Sequence, residues 1–166
     1  REKGNVKFPY WLQPVKYYKG AAWYQKKIKI PAAWKGKRIE MFVERSHWET
    51  TVWVDGKEIG LENSLSTPHV FSLAGSLMPG EHNITVRIDN RVKDINVGIN
   101  SHSITDHTQT NWNGMIGKIY VTACPPVYIN EVSLYPDIKN KEVLARLQLV
   151  NTTGKNFSGD IRLDAM

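Results

Sequence analysis

The sequence predicts an all-β protein whose strands are spaced as in a sandwich, and three observations lead to this prediction. Apolar and polar residues alternate along most segments, which places the apolar ones on one face of a strand. No window of about ten residues carries the apolar stripe of a helix. Pairs of turn-forming residues separate the alternating segments. We therefore expect helix only in short turns, such as one around residues 73–78.

Seven strands are predicted in the first three quarters of the chain. Asp55-Gly56 is a dipeptide suited to a type I′ turn, so the strands on either side of it should pair as a hairpin. Pro31 ends the first strand, Thr67-Pro68 introduces the fifth, and Pro79-Gly80 marks the turn into the sixth. In chain order, the strands are expected near residues 24–30, 39–44, 51–54, 58–59, 70–73, 82–88 and 119–121.

Pro125-Pro126 predicts a boundary between two domains, because prolines break strand pairing and stiffen a connection. Three further strands are expected after it, near residues 129–135, 143–150 and 159–163. Three strands make less than half of a sandwich of roughly 100 residues, so the second domain should be incomplete. The predicted divisions are a first domain at residues 1–123 with an N-terminal arm at 1–20, a linker at 124–128, and a partial second sandwich at 127–166.

The charge of the chain is unevenly distributed. The 166 residues include 22 Lys and Arg against 16 Asp and Glu, a formal net charge of +6, yet residues 1–38 hold 11 of the basic residues and only one acidic residue. Such asymmetry is compatible with nucleic acid, an acidic membrane surface, an anionic substrate or an acidic neighbouring domain. The single Cys124 excludes an internal disulfide, and no apolar run of about 18 residues exists that could span a membrane.

Five motifs follow one another in the first domain: Gly20-Ala-Ala-Trp-Tyr24, Ile30-Pro31 with Trp34-Lys-Gly-Lys-Arg-Ile39, Thr51-Val-Trp-Val-Asp-Gly-Lys-Glu-Ile-Gly60, Leu77-Met-Pro-Gly-Glu-His-Asn83 and Val86-Arg-Ile-Asp-Asn90. Their combined order resembles the N-terminal sugar-binding domain of glycoside hydrolase family 2, which includes β-galactosidases, β-glucuronidases and β-mannosidases. The resemblance covers residues 20–123 and implies a galactose-binding-like jelly-roll β-sandwich. It further implies that residues 127–166 are the first strands of an immunoglobulin-like β-sandwich, which a catalytic (β/α)₈ barrel follows in this family.

The resemblance also implies a function for the parent protein, a retaining β-glycosidase that uses no redox cofactor. Its two catalytic Glu residues would belong to the barrel, so no residue of this segment is expected to be catalytic. The implied partners are carbohydrate and the remaining domains of the same chain, with no nucleic acid and no membrane, and the implied location is periplasmic or secreted. Two alternatives stay open: a carbohydrate-binding module of another enzyme such as an esterase, and a structural adhesion sandwich.

A long polar segment at residues 91–114 is the main candidate for a substrate-binding loop, since loops longer than about 12–15 residues are usually functional or disordered. Its side chains could hold sugar hydroxyls and stack on a pyranose. The candidate residues are His102, Asp106, His107, Asn111, Trp112 and Asn113. By resemblance, the last three would lie near the barrel mouth. The usual Gly-Ile-x-Arg pattern appears here as Gly114-Met-Ile-Gly117, however, so these residues could equally just close the sandwich.

Other polar residues of the chain suggest metal binding or catalysis. His102, Asp106 and His107 could suggest a metal site or, with a neighbouring Ser, a hydrolytic site, but neither pattern is specific and no metal is expected. Glu40 and Glu44 point the same way on one strand, but their backbones lie about 13 Å apart. A retaining pair of carboxylates needs about 5–5.5 Å, so we expect both to lie on a solvated sheet face.

Aromatic residues are concentrated near the N-terminus, where seven of the seventeen in the chain occur between residues 8 and 24 among basic residues. This arrangement fits base stacking on nucleic acid, stacking on sugars, or an arm that packs against the sandwich or another domain. No RNP, KH or zinc-finger pattern supports nucleic acid, so the structural arm is favoured. Trp48 could add an exposed ring, although packing in the core is the more common fate of Trp.

Overall fold

The computed structural model describes residues 18–73, 75, 77–91 and 112–164. In this part of the chain there are nine strands, one 3₁₀ turn and no α-helix. The strands are β1 (Ala21–Ile30), β2 (Arg38–His47), β3 (Glu49–Val54), β4 (Lys57–Glu62), β5 (His69–Ser72), β6 (Gly80–Asp89), β7 (Gly114–Cys124), β8 (Val127–Asp137) and β9 (Glu142–Asn151). The prediction of an all-β protein is confirmed.

The first seven strands form two antiparallel sheets that pack face to face. One sheet has the order β1-β6-β3-β4, and the other has the order β5-β2-β7. The apolar residues that alternate with polar ones along β2 and β6 face inward, one set from each sheet. The described core is the set Ile30, Ile39, Met41, Val43, Val52, Val54, Phe71, Leu73, Leu77, Ile84, Val86 and Ile88. Burial of this apolar surface is the main force that holds the sheets together.

The hairpin between β3 and β4 turns as the sequence predicts. Asp55 and Gly56 both have positive φ, 50° and 82°, which is the backbone of a type I′ turn. The turn is also attached to the neighbouring strand, because the Asp55 carboxylate accepts hydrogen bonds from the Asn83 backbone N–H at 2.8 Å and from His82 Nδ1 at 2.6 Å. His82 Nε2 in turn donates to the Met78 carbonyl at 2.7 Å.

These contacts make the stability of the fold depend on pH through His82. The hydrogen bond with Asp55 raises the pKa of His82 above its ordinary value, with a smaller contribution from the Met78 carbonyl and opposition from burial. A raised pKa means that the charged form stabilises the fold below the ordinary His pKa of about 6.5, and that this stability is lost as the pH rises through the raised pKa. The pKa of Asp55 is lowered, first by the Asn83 N–H and then by His82, so that carboxylate stays ionised in this window.

We therefore expect the melting temperature to fall from about pH 6 to about pH 9 by more in the natural protein than in the His82→Gln variant. Gln cannot titrate, so subtracting its pH profile removes the contribution of all other groups. Thermal unfolding followed by circular dichroism measures both profiles. Parallel profiles over the whole range would contradict the role given to His82.

The last two strands form a separate two-stranded sheet. β7 ends at Cys124, Pro125 and Pro126 follow, and β8 then pairs with β9. One face of this hairpin is apolar, and Val132, Leu134, Val143 and Leu149 on it are each more than half exposed. The hairpin touches the sandwich where the Arg38 guanidinium lies 3.8 Å from the centre of the Tyr128 ring.

Two details of the prediction differ from the structure. The strand expected at residues 159–163 is wrong, because these residues form no strand and are exposed. The chain turns away at the end of β9, where the side-chain oxygen of Asn151 accepts a hydrogen bond from the Thr153 N–H at 2.9 Å. In the described part of the chain, the residues beyond this turn have no neighbouring strand, so they cannot form a ladder of hydrogen bonds. The short helical turn expected around residues 73–78 is absent from the described residues of that range. A 3₁₀ turn lies instead at Ala32–Trp34.

Candidate functional site

The candidate site lies at the end of the sandwich where β6 stops and β7 begins. The predicted residues His102, Asp106, His107 and Asn111 lie outside the described residues. Trp112 and Asn113 are described, and both lie immediately before Gly114, the first residue of β7. The two ends of the polar segment are therefore defined by Arg91 on one side and by Trp112 on the other.

Asn90 connects three stretches of chain at this end. Its side chain is buried, with 1% of the residue exposed. The side-chain oxygen accepts the Gly20 N–H at 2.8 Å, and the side-chain nitrogen donates to the carbonyls of Tyr18 at 2.9 Å and Trp112 at 3.2 Å. One amide thus joins the residues before β1, the end of β6 and the residues before β7.

Trp112 and Asn113 both form hydrogen bonds at the same junction. His47 Nδ1 lies 2.7 Å from the Trp112 carbonyl, and the two rings are 5.0 Å apart at an angle of 31°. The Asn113 side-chain nitrogen donates to the Gly20 carbonyl at 2.7 Å, whereas its buried side-chain oxygen has no hydrogen-bond partner among the described residues. The bonds fix the path of the chain into β7.

The other end of the segment is fixed by Trp48, Asp89 and Arg91. Trp48 is 8% exposed, and its indole N–H donates to the Arg91 carbonyl at 3.2 Å, so the hypothesis of an exposed Trp48 ring is wrong and the core alternative is confirmed. The fully buried Asp89 carboxylate accepts hydrogen bonds from the Arg91 guanidinium at 2.6–3.2 Å. These bonds raise the pKa of Arg91 above its ordinary value.

The two carboxylates on β2 are held by different partners. Glu40 forms an ion pair with Arg38 and is less exposed than the predicted solvated face implies. Glu44 accepts the Lys118 N–H at 2.8 Å beside a bulge in β7, where Gly117 has φ of 77°. A Cβ at Gly117 would lie 2.6 Å from the Glu44 carboxyl carbon, so the glycine makes room for this contact. The expected solvated position is therefore confirmed for Glu44, which is exposed, and not for Glu40, which is half-buried beside Arg38.

Sequence reasoning missed a buried polar network between the sheets. The Ser46 and Thr50 hydroxyls lie 2.6 Å apart, and His69 Nδ1 is 3.0 Å from the first and 2.8 Å from the second. His69 Nε2 donates to the Ser64 carbonyl at 2.8 Å. All three side chains are at most 3% exposed, so this Ser–His contact has no access to a substrate and serves the fold. No local signal reveals it, because the residues come from β2, β3 and β5.

Sequence reasoning also did not single out a pair of Trp rings on the outer face of the four-stranded sheet, one exposed (Trp23) and one half-buried (Trp53). Trp23 is 60% exposed, and its ring centre lies 5.3 Å from that of Trp53. Trp23 is one of the seven aromatic residues near the N-terminus, and those before residue 18 lie outside the described residues. The alternation of β3 offered a signal for its partner, since Val52 and Val54 face the core and Trp53 must then face outward.

The described ranges hold neither a metal cluster nor a membrane-spanning helix. Among the residues with described positions, no three His, Cys, Asp or Glu side chains come together as a metal site would require. Those ranges also contain no helix long and apolar enough to cross a membrane.

The two facing antiparallel sheets define the first part of the chain as a β-sandwich domain. Comparison with known proteins places it more narrowly. Residues 3–125 match the family described as glycosyl hydrolases family 2, sugar binding domain. The chain belongs to this family, as the order of its motifs predicts.

Individual relatives are longer than this chain. A β-galactosidase of Clostridium acetobutylicum is 25% identical over 123 residues, which are 70% of this chain and 13% of that protein. A β-glycosidase from Bacteroides vulgatus superimposes with a TM-score of 0.64 at 21% identity, covering 82% of this chain and 17% of the other. A Faecalibacterium prausnitzii β-glucuronidase gives a TM-score of 0.64 at 23% identity, with 81% and 27% covered. These structures share the fold.

Proposed function

We propose that this chain is the N-terminal, non-catalytic portion of a family 2 type β-glycosidase that hydrolyses O-glycosidic bonds in glycans with retention. The observation that carries the proposal is the family match over residues 3–125. The chain spans 13% of the length of the related β-galactosidase, which fits a domain that serves a larger enzyme. Neither of the β2 carboxylates is placed for glycoside cleavage, so the acid/base and nucleophile would be supplied by the barrel.

The proposed task of this portion is to support the barrel and to lend a loop to the substrate pocket. The hydrogen bonds of Asn90, Asn113 and Trp48 support this task, because they fix both ends of the segment between Arg91 and Trp112. The proposed substrate-binding residues remain His102, Asp106, His107, Asn111, Trp112 and Asn113.

The division of the chain is part of the proposal. We assign residues 1–123 to the jelly-roll domain, with its arm at 1–20, residues 124–128 to a linker, and residues 127–166 to an immunoglobulin-like sandwich. The exposed apolar face of the β8–β9 hairpin supports this division, since such a face is normally covered by a second sheet. The partners are then the remaining strands of that sandwich, the barrel and a carbohydrate substrate, and hydrolysis needs no redox cofactor.

The intact gene product is expected to hydrolyse at least one aryl β-glycoside in a panel of galactosides, glucosides, glucuronides and mannosides. Nuclear magnetic resonance of the first-formed sugar should show the β anomer, which is the mark of a retaining enzyme. The 166-residue chain tested alone serves as the control and should release no sugar. An intact product that cleaves none of the panel would contradict the proposal and favour a carbohydrate-binding module of another enzyme.

A further inference from the structure

The outer face of the four-stranded sheet carries aromatic and polar side chains in two cross-strand rows. The strand register places Trp23 of β1 opposite Arg87 of β6, and Arg87 opposite Thr51 of β3. The next row on this face consists of Gln25, Thr85 and Trp53. Residues directly opposite one another lie on the same face of a sheet, so both rows point away from the core.

The two indoles meet across β6 to form one aromatic surface. Their centres are 5.3 Å apart and their planes are inclined by 31°. The Arg87 guanidinium carbon lies 6.0 Å from the Trp23 ring centre and 5.9 Å from that of Trp53, within the range of a cation–π contact. Arg87 is itself held by hydrogen bonds to Glu49 at 2.9 Å and Thr51 at 3.1 Å. The surface is therefore ordered before any ligand arrives.

Polar groups border this aromatic surface. The Gln25 side-chain nitrogen donates to the Thr85 hydroxyl at 3.0 Å, and this pair is exposed. Among the described residues, this bond leaves the amide oxygen of Gln25 and the hydroxyl proton of Thr85 available to a ligand. A broad apolar surface beside exchangeable donors and acceptors matches a pyranose, which has an apolar C–H face and a rim of hydroxyls.

The other sheet offers a contrasting aromatic pair. Phe42 and Tyr120 stack on its outer face at 4.8 Å and 16°. Tyr120 and the neighbouring Val70 are each 45% exposed, and the next row on this face consists of Ser72, Glu40 and Thr122, none of which carries an amide side chain. The comparison makes the pair on β2 and β7 a matched control for exposed aromatic area alone.

We propose that Trp23 and Trp53, bordered by Gln25 and Thr85, form a surface site that binds the C–H face of a neutral β-linked hexopyranose chain. None of these four residues belongs to the proposed substrate-binding set between Arg91 and Gly114. The role of the surface site is to keep a glycan on the protein while other parts of the molecule act on it. Binding here needs no catalytic carboxylate, so the inference goes beyond the proposed hydrolase function, although the choice of β-linked chains and the role of the site rest on that function.

The test is a titration of the 166-residue chain with cellohexaose, β-1,4-galactotetraose and, as an α-linked comparison, maltohexaose. Indole N–H resonances and Trp fluorescence report binding. We expect saturable binding of at least one β-linked oligosaccharide, with the largest shifts at the indoles of Trp23 and Trp53. Trp23→Ala and Trp53→Ala should each weaken binding about tenfold, because each removes half of the stacking surface.

Two further variants separate stacking from folding. Trp23→Phe keeps a ring on the exposed edge strand and should weaken binding by only about two- to threefold. Tyr120→Ala removes a comparably exposed ring on the other sheet and should leave the affinity unchanged. Absence of saturable binding to both β-linked probes, or unchanged affinity in the Trp23→Ala variant, would overturn the inference. Either result would leave hydrolysis by the intact gene product unaffected, so the two proposals fail separately.

Discussion

The Asn90→Ala variant is expected to lose about 3–5 kcal/mol of the free energy of unfolding. The natural side chain bonds three backbone groups, the Gly20 N–H and the carbonyls of Tyr18 and Trp112. Each buried backbone group left without a partner costs about 1–3 kcal/mol, and water has little access because Asn90 is 1% exposed. Urea unfolding followed by circular dichroism measures the change as a shift of the midpoint.

Two variants check the reason for this loss. Asn90→Asp keeps an oxygen for the Gly20 N–H but turns a second oxygen toward the carbonyls of Tyr18 and Trp112, so it should also be strongly destabilising. Asn130→Ala is the matched control, because its side chain bonds Gln148 at the exposed surface of the β8–β9 hairpin. We expect that change to stay within about 0.5 kcal/mol. A loss below about 1 kcal/mol in Asn90→Ala would show that the junction does not depend on this amide.

The His69→Ala variant should lose a similar amount, about 3–5 kcal/mol. His69 is 1% exposed and joins the hydroxyls of Ser46 and Thr50 to the Ser64 carbonyl. Ala leaves both a cavity and unpaired polar groups. His69→Leu fills most of the space, so its cost of about 2–3 kcal/mol should report the lost hydrogen bonds. Urea midpoints give both values.

A double-mutant cycle tests whether the hydrogen bonds carry this cost. In a Thr50→Val background, one of the hydroxyls that His69 serves is already absent, so His69→Leu should cost about 1 kcal/mol less than in the natural protein. Equal costs in the two backgrounds would assign the effect to packing instead. Because β3 belongs to one sheet and β2 and β5 to the other, the cycle also measures how firmly polar bonds join the two sheets.

The strands were predictable because their signal is local. A residue such as Val86 faces the core because of its place in an alternating segment, and this alternation is visible without knowledge of the partner strand. The Asp55-Gly56 turn was equally predictable, since positive φ at two successive residues favours this dipeptide. The strand predicted at residues 159–163 failed for the converse reason, because alternation makes a strand only where a neighbour supplies hydrogen bonds.

The candidate site was only partly predictable. The position of the polar segment and the presence of Trp112 and Asn113 at its end followed from the sequence. Their attachment did not, because Gly20 and Asn90 are 70 residues apart in the chain and meet only in the folded sandwich. The burial of Trp48 likewise depends on its bond to the Arg91 carbonyl, which no local pattern indicates.

By itself, the sequence determined the all-β class, the approximate positions of nine of the ten predicted strands, the hairpin and the resemblance to family 2, because each rests on the order of neighbouring residues. Only the tertiary structure decided which polar groups are used within the fold and which aromatic rings stay exposed. The pairing of Trp23 with Trp53 across β6 illustrates the reason, since their rings meet only once the register of three strands is fixed. The amino-acid sequence gives the chemical group that each side chain carries. Whether that group is exposed depends on contacts between residues far apart in the chain.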